Sequence, residues 1–145
     1  MQITRQADYA VRAVHYLSQL ESEQRAATSQ IAQEQRIPPS FLAKIVSQLS
    51  VAGLLQTSRG ARGGVSLARA PKEITLLEVI EAIDGPILLN ECVADKGSSC
   101  YFGDSCPMRP VWCEAQVDLV QRLRTTTFDR FIHKQPTFQP VPQAA

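Results

Sequence analysis

The sequence predicts a mostly α-helical chain with one small β-hairpin, arranged as a winged helix-turn-helix followed by a long dimerisation helix. Three observations predict it. The stretches "TSQIAQEQRI" and "PPSFLAKIVSQLSVAGLL" read as two short helices joined by a tight turn, the second amphipathic. Directly after them, "LLQTSRGARGGVSLARAP" reads as strand, glycine-rich turn and strand at residues 54–58 and 65–69. Finally, "PMRPVWCEAQVDLVQRLR" carries apolar residues at helical spacing over residues 107–124, outside that small unit. The expected organisation is a winged helix-turn-helix over 1–70, a cysteine-bearing loop and dimerisation helix over 71–134, and a disordered tail rich in proline and glutamine over 135–145.

Each element has its own signals. Residues 4–22 form the first expected helix, with Thr4 as cap and Ala10, Val11, Val14, Leu17 and Leu20 as its apolar stripe. Thr28 or Ser29 is the expected cap of the second helix, which turns Ile31 and Ala32 inward. Pro38 and Pro39 open the third, Phe41, Leu42, Ile45, Val46 and Leu49 follow at helical spacing, and Gly53 stands where a helix end favours a left-handed residue. Gly60, Gly63 and Gly64 let the hairpin tip adopt positive φ and approach another surface. In "EITLLEVIEAIDG", Thr75 and Glu78 form a capping box, and Gly85-Pro86 stops the helix after Asp84. The last helix runs from Pro107 to about Arg124, with Val111, Trp112, Ala115, Leu119, Val120 and Leu123 on one broad face suited to a second copy of the chain.

A helix-turn-helix pattern alone is also what an ordinary helical hairpin looks like; the wing decides between them. Ser40, Phe41, Lys44 and Gln48 share the exposed start and one side of the third helix, the face expected in a DNA major groove. Arg59, Gly60 and Arg62 occupy the hairpin tip, where arginine suits a narrow, electronegative minor groove. A phosphate-cradling enzyme loop would open a helix, whereas this one lies between strands. Charge distribution agrees: residues 1–69 hold eight Lys/Arg and four Asp/Glu (+4), residues 70–145 seven and ten (−3). The expected partners are double-stranded DNA, as a palindromic operator, and a second identical chain.

Other classes are disfavoured. Arg5, Asp8 and Arg12 interrupt the first twenty residues, unlike a signal peptide, and no apolar run reaches the length of a membrane helix. The expected location is therefore the cytoplasm, without membrane association. No acid/base or nucleophile constellation suggests an enzyme.

All four cysteines, Cys92, Cys100, Cys106 and Cys113, fall within "NECVADKGSSCYFGDSCPMRPVWCEAQ". Disulfides are rare in the cytosol, so clustered thiols there point to metal or redox chemistry. Structural zinc usually shows paired ligands two to four residues apart, and here the gaps are seven, five and six. Iron–sulfur clusters are also held by thiolates, and an open loop can wrap one. Cys92, Cys100 and Cys106 stand among Asn90, Asp95, Lys96, Gly97, Ser98, Ser99, Gly103 and Asp104, polar surroundings that suit a cluster loop better than a core. A zinc-stabilised or thiol-disulfide-switched DNA regulator is the alternative.

Four features taken in order, "MQITRQADYAV", "RGARGG", "ITLLEVIEAIDG" and three cysteines after that helix, resemble the IscR, NsrR and RirA type of winged-helix regulators over about residues 1–130. The cysteine spacing is most similar to RirA-like iron regulators. The resemblance implies a homodimeric transcription regulator, a repressor, with an iron–sulfur cluster between the cysteine loop and the partner's N-terminal region. It implies Cys92, Cys100 and Cys106 as ligands and, as in NsrR-like members, Asp8 from the partner chain as the fourth. Three cysteines and one oxygen favour 4Fe–4S over 2Fe–2S. The signal is iron, cluster supply, nitric oxide or redox state. Two departures separate the chain from IscR-type members: Arg109 stands where they carry a ligating histidine, and Ala43 where they carry a glutamate in the recognition helix. Cys113 is the alternative fourth ligand, although seven residues of helix put it ~10 Å from Cys106. It neighbours Trp112 on a face expected to pack, where a small thiol is comfortable. His15 and His133 belong to no motif and read as structural or surface residues.

Overall fold

A computed structural model describes residues 2–94 and 100–133; the segment 95–99 and the expected tail at 135–145 lie outside the described residues. Among the described residues, five α-helices and a two-stranded antiparallel hairpin follow in the order α1 (Arg5–Ser18), α2 (Thr28–Gln35), α3 (Pro39–Val51), β1 (Leu55–Ser58), β2 (Gly64–Leu67), α4 (Leu76–Asp84) and α5 (Arg109–Arg124). The mostly helical class with a hairpin wing is what the sequence predicts.

Thr4 caps α1, its hydroxyl accepting from the Ala7 N–H at 3.2 Å. The helix ends at Ser18 rather than running to 22, and the Ser18 hydroxyl donates to the His15 carbonyl in its last turn. Neither Thr28 nor Ser29 caps α2: the cap position is Ala27, with no side-chain bond, and the helix closes on Arg36 in the left-handed region at φ 51°. Gly53, at φ 74°, follows α3 as expected. The hairpin is shifted from its expected bounds: Ser58 pairs with Gly64, and beyond the strands the Ala68 N–H donates to the Leu54 carbonyl. Ala26 adds a short bridge to Val65, so the wing is braced against the α1–α2 connection. α5 begins at Arg109, not Pro107, because Pro110 must sit in the first turn, where its missing N–H costs nothing.

α1 is the axis of the core. Its buried stripe includes Ala7, Ala10, Ala13 and Val14, and three small side chains on one helix let α4 lie close against it. Around that stripe, Ile31, Leu42, Ile45, Leu49, Leu54, Val65, Ile74 and Val79 close one continuous apolar cluster. Phe128 is fully buried in the same cluster, brought there by a bond from its N–H to the Ile74 carbonyl and from the Leu76 N–H to the Thr126 carbonyl. A second, smaller cluster of Ala7, Leu77, Ile80 and Ile87 receives Leu119, Val120 and Leu123 of α5.

Candidate nucleic-acid interface and cysteine loop

On α3 the apolar residues Leu42, Ile45, Val46 and Leu49 are buried, which turns Ser40, Phe41 and Lys44 outward. Gln48 is half-buried because its side-chain carbonyl accepts from the Gln6 amide of α1 at 2.7 Å. Phe41 is 46% exposed and meets Tyr9 of α1 edge to face, at 6.1 Å between ring centres. The Arg12 guanidinium lies over the same Tyr9 ring, 5.6 Å from its centre. Two of the four residues expected to face DNA are thus held in place from α1. Sequence reasoning missed Gln6 and Tyr9, since nothing in a linear pattern shows which residues of α1 touch α3.

Arg59, Gly60 and Arg62 are exposed at the wing tip. Among the described residues neither arginine has a carboxylate within ion-pair distance. Their guanidinium groups are free for phosphate or base edges, with donors in a fixed fork. Gly60 has φ 99° and Gly64 φ 144°, as a tight hairpin tip requires. Gly63 has another reason to be glycine: a Cβ there would stand 2.4 Å from the Ser58 carbonyl oxygen and 2.8 Å from the Arg59 carbonyl carbon.

Cys92, Cys106 and Cys113 lie near the start of α5. Cys92 is buried in a 3-10 turn, Glu91–Val93, packed against α5; Cys100 is exposed; Cys106 is half-buried and follows the 3-10 turn Gly103–Ser105; Cys113 is half-buried on α5. Among the described residues no group of three His, Cys, Asp or Glu side chains converges closely enough to hold a metal ion. The donor set nevertheless fits an iron–sulfur cluster chemically, since three soft thiols on one loop are the ligand type such clusters take. Asp8, half-buried on α1, pairs with Arg12 at 2.5 Å. His15 packs its ring edge on Phe131 and lies 3.1 Å from the Gln19 amide, while His133 is exposed at φ 58°. Neither histidine sits with the thiols in a metal-holding group among the described residues.

Arg109 takes part in the loop's own structure. Its Nε donates to the Cys92 carbonyl at 3.3 Å, its guanidinium pairs with the Asp104 carboxylate, and its N–H donates to the Cys106 carbonyl at 3.2 Å. Two turns along α5, the Gln116 amide donates to the Ile87 carbonyl at 2.6 Å while its carbonyl accepts from the Leu89 N–H at 2.8 Å. Both contacts escaped sequence reading.

The model of a family described as an iron-dependent transcriptional regulator, Rrf2, matches residues 3–134. The chain is 31% identical over 127 residues to the HTH-type transcriptional regulator NsrR of Shouchella clausii, covering 88% of this chain and 85% of that one. It is 32% identical over 136 residues to Protein aau3 of Rhizobium meliloti, covering 94% and 88%. Among solved structures, CymR, described as the global cysteine regulator of B. subtilis, superposes with a TM-score of 0.75 at 26% identity, covering 90% of this chain and 95% of that one. The fold is also that of T. potens IscR, with a TM-score of 0.72 at 24% identity over 90% of this chain and 85% of that one.

Proposed function

The chain belongs to the Rrf2 family of transcription regulators and is no enzyme, and from that premise we propose a homodimeric, RirA-like repressor whose operator affinity follows a bound iron–sulfur cluster. Cys92, Cys100 and Cys106 of one subunit, with the partner subunit's Asp8, would hold it, in the 4Fe–4S form. One observation carries the reading: Asp8 stands on α1 between Gln6 and Tyr9, the two residues that fasten α1 to the recognition helix at Gln48 and Phe41. A ligand that engages Asp8 therefore acts on the helix carrying the DNA-facing side chains.

When bound, an iron–sulfur cluster supplies a group whose presence and oxidation state follow iron supply, cluster supply, nitric oxide or oxidants. Everything else is done by the chain. Asp8 leaves Arg12 at little cost, because their ion pair is half-exposed and such pairs contribute about 0–1 kcal/mol. Arg12 lies over the Tyr9 ring and Tyr9 meets Phe41, so a shift of α1 would be passed to α3 through packed side chains. Ser40, Phe41, Lys44 and Gln48 then read the major groove while Arg59 and Arg62 hold the flanking backbone or minor groove.

The test is anaerobic purification followed by a visible absorption spectrum and operator titration with and without iron and sulfide. A brown protein whose affinity changes on cluster loss is the expected result. A colourless protein with stoichiometric zinc would replace this reading by the zinc-stabilised one. A metal-free protein whose affinity follows thiol oxidation would replace it by a disulfide switch.

A further inference from the structure

Arg109 cannot ligate iron, since a guanidinium stays protonated at cellular pH, yet it is the one described side chain that joins the Cys92 turn to the segment before Cys106. We propose that Arg109 is a positioning residue that pre-assembles the metal-free loop, fixing Cys92 relative to Cys106 before any ligand arrives. The proposal rests on the reading of these cysteines as ligands.

Among the described residues between Ile87 and α5, Cys92 is the buried one, and Tyr101 and Phe102 are 96% and 61% exposed. Apolar burial of these described residues contributes little to holding Cys92 near Cys106, and directional bonds take that part. Those bonds come from α5. Gln116 grips the incoming strand of chain through both a donor and an acceptor, at Ile87 and Leu89. Arg109, seven residues earlier and hence about two turns away on the same helix face, grips the Cys92 carbonyl with Nε. Its remaining guanidinium edge pairs with Asp104, two residues before Cys106.

The two arms differ in strength. The Asp104 carboxylate is almost fully exposed, so its pairing is screened and weak. The bond to the Cys92 carbonyl is part-buried, and its charged donor makes it the stronger tie. Lysine cannot reproduce both arms, because its ammonium lacks the planar fork.

The experiment measures alkylation of reduced, metal-free full-length protein by iodoacetamide, with each cysteine followed by mass spectrometry. Arg109→Ala is expected to speed modification of Cys92 roughly tenfold, the loss of one charge-assisted bond, while Cys113 on α5 changes less than about twofold. Asp104→Asn should change Cys92 by no more than about twofold, as an exposed pair requires. An Arg109→Ala rate equal to wild type at Cys92 overturns the proposal. If all four cysteines accelerate together, the variant has lost its fold and Arg109→Lys decides: an intermediate Cys92 rate supports the clamp, and a wild-type rate overturns it. A wild-type protein that takes up no iron and sulfide defeats the cluster reading, whereas the alkylation result still judges the clamp.

Discussion

At the scale of single residues, the side chains divide by whether their role depends on the neighbourhood in sequence or in space. The cap bond of Thr4, the Thr75–Glu78 capping box and the left-handed Gly53 act within a few residues of themselves, so the sequence predicts them and the structure agrees, whereas the bonds Thr4 also donates to Asp84 are not predicted. Gln6, Tyr9, Arg109 and Gln116 act across elements, at separations of 42 residues for Gln6–Gln48 and 29 for Gln116–Ile87. No local pattern carries that information. The wing arginines are an intermediate case: the motif marks them, and the structure adds that no described carboxylate competes for them. Changing Arg59 or Arg62 to Ala is expected to weaken operator binding and reduce the slope of log affinity against log salt by about one unit each. Titration at several salt concentrations checks it, and unchanged slopes would remove these residues from the interface. Alanine at Cys92, Cys100 or Cys106 is expected to abolish the visible chromophore of anaerobically prepared protein. The fourth ligand is settled by comparing Asp8→Ala with Cys113→Ala, where loss of the cluster only in the first is expected.

At the scale of elements, α4 shows how a capping motif becomes a pH-dependent tie. Burial works to raise the Glu78 pKa. It is outweighed by hydrogen bonds from Arg69 and from the Thr75 N–H and hydroxyl, with the Arg69 charge adding to them, so the carboxyl is held below its ordinary value of 4.5. A carboxyl whose folded pKa is depressed stabilises the fold above its unfolded pKa, and that contribution fades as pH falls through the folded value. Glu78→Gln is therefore expected to lower thermal stability at pH 7 modestly, by about 0.5–1 kcal/mol for a partly exposed cap. The difference from wild type should shrink as pH falls below the ordinary carboxyl value of 4.5 and through the depressed folded value, and a difference that stays unchanged into strongly acidic solution would exclude the carboxylate as its source. The wing carries a sharper expectation. Gly63→Ala would place a Cβ inside the contact distance of backbone at Ser58, Arg59 and Gly60, none of which can move aside without reshaping the turn. Operator affinity is expected to fall at least as far as in Arg59→Ala while helix content stays at wild type. The sequence marks these glycines for positive φ, which holds at Gly60 and Gly64, whereas Gly63 is required because the tip folds back on Ser58–Gly60, and a Cβ at Gly64 would also meet the Ala26 carbonyl oxygen at 2.8 Å.

At the scale of the whole molecule, the chain leaves one long helix half-covered. The sequence predicts a single broad apolar face on α5, and the structure divides it. Leu119, Val120 and Leu123 pack on Leu77, Ile80 and Ile87 of the same chain. Met108, Val111 and Val117 remain 61–66% exposed and Trp112 43%. Single exposed apolar residues need no explanation, but Met108 at the cap of α5 with Val111 and Trp112 in its first turn form one exposed apolar group that suits an interface between copies, where aromatic and methionine side chains concentrate. A palindromic operator, as proposed, would ask for the same thing: one recognition helix reads one half-site, and half-sites ~34 Å apart need two, fixed relative to each other. A fourth ligand supplied by the partner subunit's Asp8 would also need a close dimer, so DNA reading and metal holding converge on α5. Trp112→Glu places a charge at the centre of this surface without touching either DNA-facing element. It is expected to shift the protein to monomer in sedimentation at micromolar concentration and to reduce operator affinity by two orders of magnitude or more. The loss comes from breaking a two-site interaction into single-site ones. Binding to non-specific DNA at low salt should fall far less, because each wing and recognition helix keeps its own charges. A Trp112→Glu protein that remains dimeric and binds its operator normally would move the subunit interface elsewhere and leave the exposed face of α5 without a role.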